Sequence, residues 1–236
     1  MMSINIITPC YDETENIILN NINSVHNQLK VKSLSHLCIF DGINRTLKLE
    51  KQIFDYKNLY FHKTKFNHSD YGDYVRRLGT KISIKNKVKS VGFLDADNTF
   101  ELDHIKTVLE KHYETGKNII ISERNFFKNN IQINIKENKD FFDTNQITFF
   151  GSKIKIGLLW GKYPNQLSLI GDRIISNFIK YHYPDDIAFT NKKTVNYNYS
   201  KISKDKIKNF MKWYQDEYKR YKPGFLKKFG FDIDFI

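Results

Sequence analysis

The sequence predicts an α/β fold with a mostly parallel sheet flanked by helices. Short apolar runs that suit buried strands alternate with segments of helical hydrophobic spacing over the first 124 residues. This alternation is typical of right-handed β-α-β units. Three strands end in polar residues, at positions 8–11, at Asp41 and at positions 95–97. Because ligands bind beyond the carboxyl ends of such strands, we expect the three ends to share one crevice.

The first half of the chain supplies its elements in regular order. Five apolar runs predict strands over residues 4–8, 36–40, 59–62, 91–94 and 118–122. Helical spacing of apolar residues predicts helices over residues 14–28, 47–54, 71–84 and 102–113. Pro9 and Gly116 stand where the first strand and the last of these helices end, as expected of residues that interrupt regular structure.

The second half of the chain is less regular. Residues 126–143 fit either strands or a loop, and residues 144–160 mix aromatic residues with glycines. Beyond them, the pattern predicts a helix over 170–181 and strands over 187–189 and 194–199. The remainder is rich in lysine and aromatic residues. We therefore predict one domain over residues 1–200 and a helical extension over residues 201–236.

The composition is that of a globular protein. The chain has 236 residues, 40% hydrophobic and 15% aromatic, enough for a buried core. We expect neither a transmembrane helix, since no apolar run reaches about 18 residues, nor a signal peptide. Cys10 and Cys38 lie in or beside apolar runs, which favours buried free thiols over a disulfide or a metal site. A cytoplasmic location is therefore expected.

The charge balance indicates an anionic partner. Lysine and arginine number 38 against 26 acidic residues, a net charge of +12, which fits a nucleic acid, a membrane surface or a phosphate-bearing substrate. No RNP-like or helix-turn-helix signature is present, so nucleic acid is not expected. Residues 204–228 place aromatic side chains among lysines. Two interpretations stand: a peripheral helix on an anionic membrane, or a helix packed on the domain with its lysines in water.

Asp95 and Asp97 are the first candidates for chemistry. They follow the apolar strand over residues 91–94 and are spaced two apart. Hard cations such as Mg²⁺ and Mn²⁺ prefer oxygen ligands and bridge the charge of a diphosphate. One carboxylate could bind the metal while the other holds a hydroxyl or a metal-bound water. The alternative is structural, with Asp97 or Asn98 capping the following helix.

Four segments together resemble the inverting family 2 glycosyltransferases of the GT-A fold. They are INIITPCYDE at 4–13, CIFDG at 38–42, RRLG at 76–79 and FLDADN at 93–98, in the family's order. The resemblance covers residues 4–105 and is weak beyond residue 124. It implies a GT-A domain over residues 1–200, in which residues 1–124 bind a nucleotide sugar and residues 125–200 form the acceptor side.

At the nucleoside end, the resemblance assigns roles to three residues. Tyr11 would lie against the base, Thr8 would sit near the base and ribose, and Asp41 would accept a hydrogen bond from the base, which in many members is uracil. The sequence departs from the family pattern at Asp12, where asparagine is usual, and at Phe40, where a second aspartate is usual. Packing and turn roles for Tyr11 and Asp41 remain alternatives at this point.

At the phosphate end, the resemblance assigns three more roles. Arg76 would contact the base or the pyrophosphate, and Asp95 would touch ribose, sugar or a metal-bound water. Asp97 would bind the divalent cation, Mn²⁺ or Mg²⁺. The family's Ala-Arg-Asn triplet appears here as Val75-Arg76-Arg77, and Arg77 is interpreted as part of a solvated helix face.

Inverting transfer also requires a base that removes the proton of the acceptor hydroxyl. In the family this carboxylate opens a helix well past the metal motif, and Asp172 fits that place. The alternative is that Asp172 only adds charge to the first turn of its helix. Asp143 and Asp140 are weaker candidates, in an irregular stretch.

For four further residues, both a functional and a structural role remain open. Trp160, Phe149 and Phe150 could form a platform for an acceptor sugar, or they could be core. His182 could complete a metal shell, as a later histidine sometimes does in related enzymes, or it could simply follow its helix.

The sequence thus predicts a metal-dependent, inverting glycosyltransferase that uses a nucleotide-sugar donor and a glycan or lipid-linked acceptor. One rival is a nucleotidyltransferase that makes sugar nucleotides, but the loop over residues 9–13 lacks the glycines that such enzymes carry there. Another is a basic, non-catalytic module that binds nucleic acid or membranes, which gives no reason for Asp95 and Asp97.

Overall fold

The computed structural model describes residues 2–29, 31, 33–42, 56–135, 141–163 and 165–199. The first part of the chain forms β1 (Ile4–Cys10), α1 (Glu15–His26), β2 (Leu34–Phe40), β3 (Leu59–Lys63), α2 (Asp73–Lys85), β4 (Ser90–Phe93), β5 (Thr99–Phe100) and α3 (His104–Thr115). The second part forms β6 (Ile119–Lys128), β7 (Ile131–Ile133), β8 (Ile147–Phe150), α4 (Gly171–His182) and β9 (Ile187–Asn198). Short 3₁₀ helices span Thr144–Gln146, Gly151–Leu159, Asn165–Ile170 and Pro184–Asp186.

The described strands form a single sheet that is parallel on one side and mixed on the other. Its order is β3-β2-β1-β4-β8-β6-β9-β5, with β7 paired to β6. Strands β3, β2, β1 and β4 are all parallel, as the sequence predicts. Strand β8 is antiparallel to both β4 and β6, while β6 and β9 are parallel. The parallel half therefore directs the ends of β1, β2 and β4 to one edge.

The two faces of the sheet bury alternate residues of β1. Ile4 and Ile6 pack with Val25 of α1 and Ile105 of α3. Ile7 points to the opposite face, where its cluster includes residues of α2 and α4. This is the period-2 alternation of a strand buried on both sides.

Gly79 allows α2 to pack closely on β1. A Cβ at this position would lie 2.6 Å from Cγ2 of Ile7, well inside van der Waals contact. The absence of a side chain thus fixes the distance between α2 and the sheet. Because α2 also carries Arg76, that distance sets how far Arg76 reaches across the end of β4.

Several sequence expectations change in the second half of the chain. The two strands predicted over 187–189 and 194–199 are one strand, β9, with register irregularities opposite residues 121–124. Residues 144–160 contain β8 and a nine-residue 3₁₀ helix that the sequence did not predict. Phe149 and Phe150 are core residues at 0% and 1% exposure, so they form no acceptor platform.

Some predictions lie outside the described residues. These are the helix over 47–54, Asp140, and the extension over 201–236 with its membrane interpretation. In the part of the chain that the structure covers, no helix combines the length and apolar character needed to cross a bilayer.

Candidate active site

A cavity of about 660 Å³ lies beyond the ends of β1, β2 and β4. Six of the seven residues predicted for the site line it: Tyr11, Asp41, Arg76, Asp95, Asp97 and Asp172. Strands β1, β2 and β4 each contribute the residues at their ends, while α2 contributes Arg76 and α4 contributes Asp172. The crevice expected from the strand pattern is therefore present, and an irregular second half of the chain completes it.

Asp95 is held in place from two sides. Nη2 of Arg76 donates to its Oδ1 at 2.5 Å, and Nδ2 of Asn145 donates to its Oδ2 at 3.0 Å. The Asp95 backbone N–H donates to Oδ1 of Asn145 at 2.6 Å. Burial opposes the charge of Arg76, but the carboxylates of Asp95 and Asp73 raise its pKa above the ordinary value. Arg76 is therefore a fixed positive charge within the cavity.

Asn145 sits on a small scaffold behind Asp95. Its Nδ2 also donates to Oδ1 of Asp143 at 2.7 Å, and Asp143 pairs with Nη1 of Arg124 at 2.9 Å. Asp143 and Gln146 form a capping box on the 3₁₀ helix Thr144–Gln146. Burial raises the pKa of Asp143, with Arg124 acting against it. Asp143 is thus engaged structurally, which makes it a weaker base candidate than Asp172.

Asn145 is a site residue that sequence reasoning missed. A signal was available, because aspartate followed three residues later by glutamine is the spacing of a capping box. That pattern would have located an ordered turn at Asp143–Gln146, although it would not have shown which residue the turn faces.

Asp97 lines the cavity and is exposed to solvent. Partial desolvation, followed by the negative charges of Asp95 and Glu13, raises its pKa to about 7. A cation near Asp97 would stabilise its ionised form, because the positive charge offsets the surrounding negative potential.

The nucleoside end is organised by Asp41. This carboxylate is 5% exposed and accepts hydrogen bonds from the His68 backbone N–H at 2.9 Å and from Thr64 Oγ1 at 3.0 Å. Its Oδ1 also lies 2.5 Å from Nδ1 of His68. Nearby, Asn67 donates to the Tyr11 hydroxyl at 3.0 Å. Asp41 therefore anchors the loop after β3 as well as lining the cavity.

Tyr11 leaves much of its ring available. Its side chain is 52% exposed although its hydroxyl is bonded and its backbone N–H donates to Glu13. A half-exposed aromatic ring on a cavity wall is suited to stacking on a planar ligand.

The expectation for Thr8 needs correction. Thr8 is fully buried and does not line the cavity. Its hydroxyl bonds to Asn21 at 3.2 Å and lies 2.8 Å from Nε2 of His36. Asn21 in turn donates to the carbonyl oxygens of Asp95 and Asn98, both at 2.9 Å. Thr8 thus supports the Asp95 turn from behind instead of contacting a ligand.

Asp172 is the second residue of α4, in its first turn, and lines the cavity. It accepts a hydrogen bond from the Arg173 backbone N–H at 2.8 Å. Burial, followed by the charge of Asp143, raises its pKa to about 7. A carboxylate of this kind is suited to proton transfer near neutral pH. His182 lies at the opposite end of the same 12-residue helix and outside the cavity lining, so it does not complete a metal shell here.

The residues that line the cavity suit a divalent cation that is coordinated mainly by substrate phosphates and water. Among the described residues, no group of three histidine, cysteine, aspartate or glutamate side chains converges to form a protein-only site. Mg²⁺, however, is commonly bound by one or two carboxylates together with substrate phosphates and water. Asp97 and Asp95, which both line the cavity, supply carboxylates for that donor set.

Comparison with known proteins identifies the family. A family model described as glycosyl transferase family 2 matches residues 5–161. A comparison with curated proteins found no match. The fold is similar to S. aureus TarS 1–349 in complex with UDP, with a TM-score of 0.64 and 16% identity over 89% of this chain and 63% of that one. It is also similar to TarS 1–349 in complex with UDP-GlcNAc (TM-score 0.62, 15% identity, 86% and 60% coverage).

The longer TarS structure matches over 92% of this chain but only 39% of its own length, with a TM-score of 0.63 and 15% identity. The chain therefore spans less than two thirds of each of these structures, and at such identities the likeness shows the fold. The family model rests on sequence and covers more than half of the chain. The protein therefore belongs to glycosyl transferase family 2 and has the GT-A fold.

Proposed function

We propose that the protein transfers a sugar from a nucleoside diphosphate donor to a hydroxyl of a glycan or lipid-linked acceptor, with inversion and with the help of a divalent cation. The donor nucleotide in this proposal is UDP, because two similar TarS structures are complexes with UDP and with UDP-GlcNAc. The observation that carries the proposal is the convergence of Tyr11, Asp41, Arg76, Asp97 and Asp172 on one cavity.

The donor would lie along the cavity from β1 towards α4. Its base would stack on the half-exposed ring of Tyr11 and hydrogen-bond near Asp41. Its diphosphate would meet Arg76, whose guanidinium is buried and oriented by Asp95 before any ligand arrives. A charge that is already positioned stabilises a phosphate without first being reorganised.

Asp97 would hold the cation, with Asp95 beside it. When bound, Mg²⁺ or Mn²⁺ supplies positive charge that stabilises the departing diphosphate. Both oxygens of Asp95 already accept hydrogen bonds from Arg76 and Asn145. Asp95 is therefore best suited to a hydroxyl or a water as an additional partner, which leaves Asp97 as the direct ligand.

Asp172 would act as the base. The acceptor oxygen forms a bond to the anomeric carbon as the bond from that carbon to the diphosphate oxygen breaks. The acceptor proton passes to the Asp172 carboxylate, and the negative charge leaves with the nucleoside diphosphate. A pKa of about 7 lets Asp172 be ionised near neutral pH and still accept a proton effectively.

A panel of nucleotides and nucleotide sugars tests the proposal. Thermal shift and calorimetry, each with and without Mn²⁺, should show metal-enhanced binding of UDP and of at least one UDP-sugar. Loss of a residue that only orients a metal ligand weakens metal binding about 10–100-fold. Asp97→Ala removes the proposed ligand itself and should therefore weaken this binding by more than about tenfold. Ser90→Ala is a matched control, since Ser90 is buried at the opposite end of β4.

Two outcomes would contradict the proposal. One is that no nucleotide binds more tightly with Mn²⁺, and the other is that Asp97→Ala leaves the metal-enhanced binding intact. If sugar nucleotides are instead formed from a sugar phosphate and a nucleoside triphosphate, the chain is a nucleotidyltransferase. Salt-sensitive binding to nucleic acid in place of nucleotide binding would indicate the basic module.

A further inference from the structure

One residue, His68, contacts both oxygens of the Asp41 carboxylate. The His68 backbone N–H donates to Oδ2 at 2.9 Å, and Nδ1 of its ring lies 2.5 Å from Oδ1. Oγ1 of Thr64 also lies 3.0 Å from Oδ1. That hydroxyl has a single hydrogen, however, and the carbonyl oxygens of Phe66 and Phe40 compete for it at 2.8 Å and 3.3 Å. His68, in contrast, directs a separate donor to each oxygen of Asp41.

The ring of His68 is oriented by helix α2. An ionised carboxylate only accepts hydrogen bonds, so the ring nitrogen that faces Asp41 carries the hydrogen. The ring stacks on Tyr74 of α2, with the ring centroids 3.7 Å apart and the planes 10° from parallel. The guanidinium of Arg77 lies 5.3 Å from the Tyr74 centroid, and its Nη1 donates to the Gly161 carbonyl at 3.1 Å. Stacking on α2 therefore fixes the plane of the imidazole, and with it the direction of the Nδ1–H bond.

The segment that carries His68 packs closely against the end of β2. Gly42, the residue after Asp41, has a φ of +71°, and a Cβ at this position would overlap the backbone of Phe66 and Asn67. A residue without a side chain thus allows two stretches of backbone to meet here. This close approach brings the backbone N–H of His68 within hydrogen-bond distance of Asp41.

His68 acts on the cavity through Asp41. Asp41 and the two neighbours of His68, Asn67 and Ser69, line the cavity, whereas His68 is absent from the lining that the described residues form. In the proposed function, the base of the donor hydrogen-bonds near Asp41. An ionised carboxylate has about four lone-pair sites, so both oxygens can be bonded within the chain and the group still accepts a donor from a ligand.

A carboxylate held in this way distinguishes uracil from cytosine. On the Watson–Crick edge, N3 of uracil carries a hydrogen that it donates, whereas N3 of cytosine presents a lone pair. A fixed acceptor gains a hydrogen bond from uracil and faces an unfavourable lone pair in cytosine, which is discrimination by repulsion as well as by attraction. The torsion about χ2 of an aspartate is broad, so a carboxylate without fixed donors can turn away from cytosine. Selectivity therefore depends on what holds Asp41.

We propose that His68 is a positioning residue that fixes the Asp41 carboxylate as the acceptor for N3–H of uracil, and that it thereby sets the preference of the protein for uridine over cytidine diphosphates. This inference rests on the proposed function and adds to it the residue that controls the choice of base. Because Asp41 is oriented before the nucleotide arrives, binding does not have to order it.

Calorimetry of the full chain with UDP, CDP and pyrophosphate, each in the presence of Mn²⁺, tests the inference. His68→Phe keeps a ring that can stack on Tyr74 but has no N–H, so the affinity for UDP should fall about three- to tenfold. The affinity for CDP should change less, so the ratio of UDP affinity to CDP affinity should fall. His68→Asn places an amide N–H near the position of Nδ1 and should restore most of both quantities. Pyrophosphate has no base, and its affinity should stay the same in both variants.

His62→Phe is the matched control, because His62 is an exposed histidine on β3 and is not among the residues that line the cavity. It should leave all three affinities unchanged. The ratio of UDP affinity to CDP affinity is the quantity that a merely structural role of His68 would not alter.

Several results would overturn the inference. They are equal binding of UDP and CDP by the unmodified protein, an unchanged affinity ratio in His68→Phe, a parallel loss of pyrophosphate binding, and a failure of His68→Asn to recover the ratio. Failure of the proposed function is distinguishable from all of these. In that case no nucleotide binds the unmodified protein more tightly with Mn²⁺, and this is seen before any variant is made.

Discussion

Two buried aspartates on the walls of the same cavity have contrasting surroundings. Asp41 is 5% exposed and its carboxylate is fully engaged by Thr64 and His68. Asp73 is 1% exposed, and the neighbours of its carboxylate are the Tyr163 and Ser168 hydroxyls and, at 3.5 Å, Nη1 of Arg76. Burial raises the pKa of Asp73 to about 7, although Arg76 acts in the opposite direction. Asp41 is thus held by a set of short hydrogen bonds, whereas burial dominates the surroundings of Asp73.

This difference matches the proposed division of the cavity, in which the nucleoside is bound near Asp41 and the acids with raised pKa values take part in the chemistry. Pre-formed hydrogen bonds at Asp41 keep one conformation of the loop, which suits recognition of a constant part of the donor. Acids with raised pKa values are characteristic of sites where protons or cations are exchanged. Asp172 and Asp97, both with pKa values raised to about 7, belong to the second group.

The largest effect is expected from Asp172→Asn. The amide cannot accept the acceptor proton, so the rate of transfer should fall by about 10²–10⁴-fold, the usual contribution of a general base. Affinity for the donor should stay within about twofold, because the change is nearly isosteric. Steady-state transfer and donor calorimetry measure the two quantities. Unchanged transfer would remove Asp172 from the mechanism.

The same assignment predicts the pH profile of the enzyme. Because the base must be ionised, kcat should fall about tenfold for each pH unit below about 7 and level off above it. Saturating Mn²⁺ and donor are required, since protonation of Asp97 would otherwise reduce binding in the same pH range. A flat kcat between pH 5 and 8, measured under those conditions, would contradict the role given to Asp172.

The next largest effect concerns the pH dependence of stability. A carboxyl whose pKa rises from 3.8 to about 7 on folding favours the folded state at low pH, and that contribution is lost as pH rises through about 7. Between pH 4 and pH 7, the free energy of unfolding should therefore fall less in Asp73→Asn than in the unmodified protein, and the difference should be at most about 4 kcal/mol. Urea unfolding at several pH values measures this, with Ser90→Ala keeping the original slope.

A smaller effect on stability is expected at Asp41. In Asp41→Asn an amide N–H replaces one acceptor oxygen and opposes either His68 or Thr64, so a charge-assisted hydrogen bond is lost. The free energy of unfolding should drop by about 1.5–3 kcal/mol. Asp103→Asn is the control, because among the described residues the Asp103 carboxylate has only a long 3.5 Å contact with Thr107. This change should alter stability by less than about 0.5 kcal/mol. Equal effects in both variants would mean that Asp41 anchors nothing.

The sequence predicted the parallel half of the fold because its signals are local. Apolar runs and helical spacing locate β1, β2, β3 and β4 within a few residues of their observed bounds. Strand β8 escaped prediction because its direction depends on pairing with β4 and β6. Those partners begin 57 and 28 residues earlier in the chain, and no local pattern encodes such a choice.

The site divides in the same way. Asp41, Asp95 and Asp97 were found because each follows a recognisable strand. Asn145 and His68 were missed because their roles come from contacts with carboxylates 50 and 27 residues away. Thr8 was predicted to lie near the base and ribose because the family resemblance places it there, whereas β1 continues to Cys10 and the Thr8 side chain is fully buried. Strand ends are therefore predictable, but the direction of a side chain at an end is not.

Tyr11 gives the smallest and most discriminating effect. Tyr11→Phe removes one exposed hydrogen bond from Asn67 and keeps the ring, so affinity for UDP should change by less than about threefold. Tyr11→Ala also removes the ring, and the lost stacking should weaken UDP binding by about 1–3 kcal/mol. A large loss with phenylalanine would mean that the hydroxyl, and with it the Asn67 loop, recognises the nucleotide directly. Calorimetry with UDP and Mn²⁺ distinguishes a Tyr11 ring that stacks on the base from a Tyr11 hydroxyl that hydrogen-bonds to the polar edge of the base.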